Sequence, residues 1–110
     1  MTTINKTSMY AVVSLESQVI GGADALEFST EIRKLTEQKI QHVVVDMSAV
    51  ELINSSGLGM LVSGLSIMRK VGGTLVLAEV PDKVKGLLEM THLNTVLQSF
   101  STIKQAEESL

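Results

Sequence analysis

The residues best suited to chemistry form one short segment, Asn54-Ser55-Ser56-Gly57-Leu58-Gly59. It lies between a β-branched run ending at Asp46-Met47 and a strongly apolar stretch with helical spacing, which is the usual functional edge of an α/β sheet. A serine at the start of a helix presents its hydroxyl beside unpaired backbone N–H groups and the positive end of the helix dipole. Because that environment favours a phosphate, Ser56 is a candidate phosphorylation site.

The presence of two glycines in this segment requires an explanation, because each glycine lowers helix stability by about 1 kcal/mol relative to alanine. Close approach of another chain or of a ligand to Gly57 and Gly59 is one such reason. In a simpler interpretation, Ser55 or Ser56 is only the N-cap, and the glycines allow the helix to pack tightly on the sheet. The spacing alone leaves both interpretations open.

Most other chemistry is excluded by residue type. The chain has no cysteine, which removes disulfides, thiolate zinc sites and cysteine nucleophiles, and its two imidazoles, His42 and His92, share no motif. Neither Gly-x-Ser-x-Gly nor Gly-x-x-x-x-Gly-Lys-Ser/Thr occurs, so a serine hydrolase and a P-loop enzyme are disfavoured. We therefore expect no metal, no cofactor and no catalysis by this chain.

Length and composition predict one small folded domain over residues 1–110, with 45% apolar and 19% charged residues. The net charge of −3, from 9 Lys+Arg and 12 Asp+Glu, provides no basic face for a phosphate backbone. No apolar run approaches the roughly 18 residues of a membrane helix, and the first residues lack a signal-peptide pattern. We expect a cytoplasmic protein that binds neither nucleic acid nor a membrane.

Hydrophobic periodicity predicts alternating strands and helices. The predicted strands are 9–15 with 2–8 as an antiparallel partner, 40–47, 74–80 and a short one within 95–100. The predicted helices are 25–35, 58–70, 82–91 and one from Ser101 whose inward side chains are Ile103, Ala106 and Leu110; residues 48–55 are predicted to be a loop. This order predicts an α/β fold with a small mixed, mostly parallel sheet of four to five strands, an antiparallel N-terminal pair and about four covering helices.

A second side of the helix after Ser56 carries Met60 and Gly64. An adaptable methionine beside a glycine is suited to contact a partner protein. Burial under a neighbouring helix is the simpler alternative. Both remain open from the sequence.

Taken together, the motifs resemble the STAS domain, the family of sulphate-transporter domains and bacterial anti-sigma-factor antagonists. The resemblance covers nearly the whole chain and rests on residues 43–48, 52–59, 72–77 and 103–107. In that family the hydroxyl immediately before the glycine accepts phosphate, and the matching residue is Ser56. Asp46 matches a family aspartate at a strand end, where it either shapes the serine loop or makes a local structural hydrogen bond.

The resemblance implies partner switching. The unmodified antagonist binds an anti-sigma factor that is also an ATP-dependent serine kinase, phosphorylation disables it, and a PP2C-type phosphatase resets it; a monomer or weak dimer is expected. The chain departs from the family at Asn54, where an acidic residue is usual, and at residues 18–22, a diverged form of Gly-x-Leu-Asp. The alternative is a STAS scaffold that takes no phosphate, or a subunit of a regulatory or lipid-transport complex.

Overall fold

The computed structural model describes residues 3–6 and 9–110, including seven strands and four α-helices. The strands are β1 (Thr3–Lys6), β2 (Tyr10–Ser14), β3 (Gln18–Val19), β4 (His42–Asp46), β5 (Leu52–Ile53), β6 (Thr74–Ala78) and β7 (Ser99–Phe100). The helices are α1 (Ala23–Glu37), α2 (Ser55–Lys70), α3 (Asp82–Met90) and α4 (Ile103–Glu108), with a 3₁₀ turn at Leu93–Thr95.

The main sheet has the strand order β1-β2-β4-β6-β7. β1 runs antiparallel to β2, and the remaining neighbours are parallel, with Val13, Val45 and Leu77 in register across the centre. This arrangement confirms the predicted α/β class, the mostly parallel sheet, which has five strands where four to five were predicted, and the antiparallel N-terminal pair. Residues 2, 7 and 8 of the predicted hairpin partner lie outside the described part of the chain.

The β-branched run of β4 is buried on both faces of the sheet, as its composition predicts. Val43 and Val45 join the larger core under α1 and α2, whereas Val44 joins a smaller core on the other face. The smaller core is covered by α4 through Ala106. The Tyr10 hydroxyl donates a hydrogen bond to Glu107 of α4, and that bond raises the pKa of Tyr10 above its usual value.

Two predictions at the ends of elements are wrong. Residues 48–55 are not only a loop, because Leu52–Ile53 forms β5 and pairs in parallel with β3 as a separate two-stranded sheet. Leu110 does not face inward: α4 ends at Glu108 and the Leu110 side chain is 40% exposed. The predicted inward positions Ile103 and Ala106 are half-buried and buried.

Candidate functional site

Ser56 lies in the first turn of α2, where its side chain is exposed. Its neighbours Asn54, Ser55 and Gly59 are exposed too, whereas Gly57 and Leu58 are buried against the body of the protein. Gly57 and Leu58 therefore anchor the start of the helix, while Ser55 and Ser56 present their hydroxyls to solvent. A visiting enzyme has access to Ser56 without any unfolding of the core.

Asn54 is the N-cap of α2, so the prediction of a cap at Ser55 or Ser56 is wrong. Its Oδ1 accepts a hydrogen bond from the Gly57 backbone N–H at 2.8 Å, and its Nδ2 donates to the Ile20 carbonyl oxygen at 3.2 Å. Its backbone N–H donates to the Val19 carbonyl at 3.3 Å. Asn54 thus joins the start of α2 to the segment after β3. A carboxylate at this position would accept from Gly57 but has no hydrogen to donate to Ile20.

This double role predicts different effects for two substitutions of Asn54. We expect Asn54→Ala to lower the free energy of unfolding by about 1–2 kcal/mol, because it removes the cap. Asn54→Asp should stay within about 1 kcal/mol of the parent, because its charge at the helix N-terminus offsets the lost donor to Ile20. Urea unfolding at neutral pH measures both values. A loss in the aspartate variant as large as in the alanine variant would contradict the assigned hydrogen bonds.

Gly57 and Gly21 bring α2 and the β3–α1 connection into direct contact. A Cβ added at Gly57 would lie 2.1 Å from the Val19 carbonyl oxygen, and one added at Gly21 would lie 2.5 Å from the Ser56 Cβ. Gly21 also has φ +81°, a conformation that side chains rarely adopt. Around an added Cβ at Gly59 there is nothing within 4 Å. The tight-packing explanation therefore holds for Gly57 and fails for Gly59.

The segment Val19–Gly21 packs against the start of α2, and the sequence did not predict this contact. The Gly21-Gly22 pair was the available signal, but it indicated only a break before α1. A two-residue strand such as β3 has no measurable periodicity, so nothing in the sequence showed that Val19 would contact the start of α2.

Asp46 lies at the carboxyl end of β4, where it is half-buried. One carboxylate oxygen accepts from the Ser14 hydroxyl at 3.0 Å, and the other accepts from the Ser48 backbone N–H at 3.0 Å. Both oxygens are therefore engaged by the strand neighbour and by the turn that follows β4. These contacts correspond to the local structural role rather than to a direct contact with the serine segment.

Comparison with known proteins decides the family. The sequence model that defines the STAS domain family matches residues 2–106 of the chain. The chain belongs to the STAS domain family. It is 31% identical over 68 residues to the TM1081 homolog of Thermotoga neapolitana, provisionally named an anti-sigma factor antagonist, and that alignment covers 62% of this chain and 60% of the relative.

Two solved structures show how this STAS domain compares in fold. TM1081 of Thermotoga maritima superposes with a TM-score of 0.87 at 22% identity, covering 98% of this chain and 86% of that one. The anti-sigma factor antagonist SpoIIAA of Bacillus, in its unphosphorylated form, superposes with a TM-score of 0.75 at 11% identity, covering 99% and 96%. At these identities the likeness establishes the fold.

In this STAS domain, Met60 and Gly64 are buried between α1 and α2. A Cβ added at Gly64 would lie 2.6 Å from Phe28 Cε2, and Met60 is 4% exposed. The alternative of burial under a neighbouring helix is therefore confirmed for both residues. Gly64 offers no surface to a partner, and Met60 reaches only a small cavity beside α1.

The chain segments that flank Ser56 and β3 in this STAS domain carry acidic side chains and no basic ones. Residues 10–32 and 46–68 contain no lysine or arginine, although they include Glu16, Asp24, Glu27, Asp46 and Glu51. The described residues hold no cluster of three potential metal ligands, and none of their helices has the length and apolarity needed to span a membrane. His42 pairs with Thr74 at the opposite edge of the sheet, where Nδ1 and Oγ1 are 2.8 Å apart.

Proposed function

We propose that this STAS domain is a cytoplasmic anti-sigma-factor antagonist that works by partner switching, with Ser56 as its phosphoacceptor. The observation that carries the proposal is the exposure of Ser56 in the first turn of α2, on a helix start fixed by Asn54 and Gly57. The name of the Thermotoga relative supports the antagonist role. SpoIIAA, a structural neighbour, is known in unphosphorylated and phosphorylated forms.

Ser56 acts as a substrate and not as a catalytic nucleophile in this proposal. Among the described residues, no side chain that could serve as a general base forms a hydrogen bond with the Ser56 hydroxyl. The kinase must therefore supply the base that accepts the hydroxyl proton. In the kinase complex, the Ser56 Oγ attacks the γ-phosphorus of ATP, the bond to the β-phosphate oxygen breaks, and ADP leaves. The hydroxyl proton passes to a base of the kinase.

Phosphorylation would alter the surface of the domain while leaving its fold in place. The helix N-terminus stabilises an added anion, so α2 tolerates the phosphate. The modification adds about −1.5 to −2 charges, and this chain has no lysine or arginine in residues 46–68 to pair with them. Burying that charge in a contact with the anti-sigma factor would carry a large desolvation cost. Release of the partner follows, and a PP2C-type phosphatase restores binding.

The decisive assay is incubation with ATP and a candidate anti-sigma factor/kinase from the same organism, followed by mass measurement of the intact chain. We expect a phosphate-sized mass gain in the parent and in Ser55→Ala, and no gain in Ser56→Ala. Ser55→Ala is the matched control because Ser55 is an equally exposed hydroxyl in the same turn. If all three proteins bind the kinase and none gains mass, the domain is a STAS scaffold that is not switched by phosphate.

A further inference from the structure

A cavity of about 240 Å³ opens beside β6, at the end of the sheet where β4 and β6 begin. Its polar lining includes the side chains of His42, Arg69, Thr74 and Gln98. None of the described residues that line it is an aspartate or a glutamate. The volume exceeds the roughly 150 Å³ of a cavity that holds benzene and is below the roughly 300–1,000 Å³ of drug-sized ligand sites. The cavity therefore has the size for a small organic molecule.

One backbone position of β6 faces this cavity without a strand partner. On the β7 side of β6, Leu77 donates its backbone N–H to the Gln98 carbonyl oxygen at 2.8 Å. Every second residue of a strand presents its backbone groups to the same neighbour, so Leu75 faces that side too. β7 pairs only with Leu77 and Ala78, and no described carbonyl accepts the Leu75 N–H on that side.

The Leu75 N–H therefore needs an acceptor from the cavity. Leu75 is 2% exposed, and its side chain packs in the larger core on the other face of the sheet, so it lines the cavity with its backbone. A buried backbone N–H without a partner costs about as much free energy as a lost hydrogen bond. An acceptor atom bound in the cavity would remove that cost.

The side chains around the Leu75 N–H add a positive charge and further donors. Arg69, in the last turn of α2, is exposed and forms no ion pair with any described carboxylate, that of Leu110 included. His42 Nδ1 and Thr74 Oγ1 are 2.8 Å apart and share one hydrogen. If the threonine donates it, neutral His42 carries its hydrogen on Nε2; if His42 donates it, the threonine hydrogen is unused. Either arrangement leaves this pair one more donor, so the cavity suits an anion.

We propose that this cavity binds a small aliphatic carboxylate, with its anionic group between Arg69 and the Leu75 N–H. A guanidinium and a carboxylate form two parallel hydrogen bonds, and a backbone N–H bonds more strongly to a carboxylate than to a neutral acceptor. The hydrocarbon part lies against Val96 and Leu110, which line the cavity and are 39% and 40% exposed. This site is separate from Ser56 and does not depend on partner switching.

The test is a titration of hexanoate into the ¹⁵N-labelled full chain at constant ionic strength. Hexanamide, its neutral counterpart, and inorganic phosphate, which has charge but no hydrocarbon, are titrated in parallel. We expect hexanoate to bind saturably with a Kd on the order of 1 mM. The Leu75 amide hydrogen should shift downfield as it gains an acceptor, and that of Leu77, already bonded to Gln98, should shift much less. Hexanamide and phosphate should each bind at least about tenfold more weakly.

Two matched variants test the role of Arg69. We expect Arg69→Gln to weaken hexanoate binding about tenfold or more, because it removes the charged partner of the carboxylate. Lys70→Gln is the control, since Lys70 is the next residue and is equally exposed but does not line the cavity. It should change the affinity less than about twofold. Both positions are exposed, so both variants should keep the amide spectrum of the folded parent.

Several results would overturn the proposal. Shifts that do not saturate, or that spread over the surface without Leu75, would show that the cavity is not a site. Equal affinity for hexanamide would remove the role of the charge, and equal affinity for phosphate would remove that of the hydrocarbon. Equal losses in Arg69→Gln and Lys70→Gln would leave only a general effect of net charge.

Discussion

Substituting alanine for Gly57 is expected to lower the free energy of unfolding by about 2–4 kcal/mol, since the new methyl group overlaps backbone that cannot move cheaply. The added Cβ would lie 2.1 Å from the Val19 carbonyl oxygen and 2.9 Å from Ile53 Cγ1. Relief requires the first turn of α2 to shift away from β3 and β5. That shift would also stretch the Asn54 hydrogen bonds to Gly57 and Ile20. Urea unfolding followed by circular dichroism measures the loss.

Gly59→Ala is the matched control for this prediction. Gly59 lies in the same helix two residues later, and an added Cβ there has nothing within 4 Å. Alanine should therefore stabilise the domain by about 0.5–1 kcal/mol through helix propensity alone. If the two variants changed stability by the same amount, tight contact between α2 and β3 would not be the reason for Gly57.

The parts of the fold predicted from sequence are those with either an uninterrupted apolar run of about five residues or an apolar stripe at helical spacing. β4 and β6 are short runs of buried β-branched and aliphatic residues, and α1 and α2 carry apolar stripes at helical spacing. Their burial on the sheet follows from that pattern. β3 and β5 have two residues each, so no period exists to detect, and their pairing depends on contacts between segments far apart in the chain.

The candidate site was predicted in position but not in detail. The segment 54–59 was identified from its glycines and serines, yet Asn-Ser-Ser offers three possible caps in a row. Backbone geometry selects Asn54, which is extended with φ −111°. Gly59 is the opposite case. It is the same residue type two positions after Gly57, but nothing lies within 4 Å of an added Cβ, so tight packing does not explain why a glycine is there. Contacts with β3, which the sequence does not reveal, separate the two glycines.

A small cavity beside α1, lined by three acidic residues, shows why surface clusters are harder to predict from sequence than helices and strands. Glu16 lies in the connection after β2, whereas Asp24 and Glu27 lie in the first turns of α1. The three carboxylates line one cavity only because β3 turns the chain back beside α1. In the sequence each is an ordinary exposed acid.

Ser56→Glu is expected to weaken binding to the anti-sigma factor by about 2–3 kcal/mol, a factor of roughly 30 to 150, with little effect on folding. The carboxylate adds charge at the exposed turn that the partner covers, where residues 46–68 provide no cation. At the start of α2 the same charge interacts favourably with the helix dipole by about 0.3–1 kcal/mol, so stability should hold or rise slightly.

Titration calorimetry with the anti-sigma factor and urea unfolding separate these two effects. Ser66→Glu serves as the matched control, because it places the same side chain at an exposed position of the same helix, far from the first turn. Equal losses of affinity in Ser56→Glu and Ser66→Glu would mean that the change in net charge weakens binding, and not the position of the charge in the first turn of α2. Unchanged affinity in Ser56→Glu would remove the physical basis for a phosphate switch at this residue, since charge placed on the covered turn would then carry no cost.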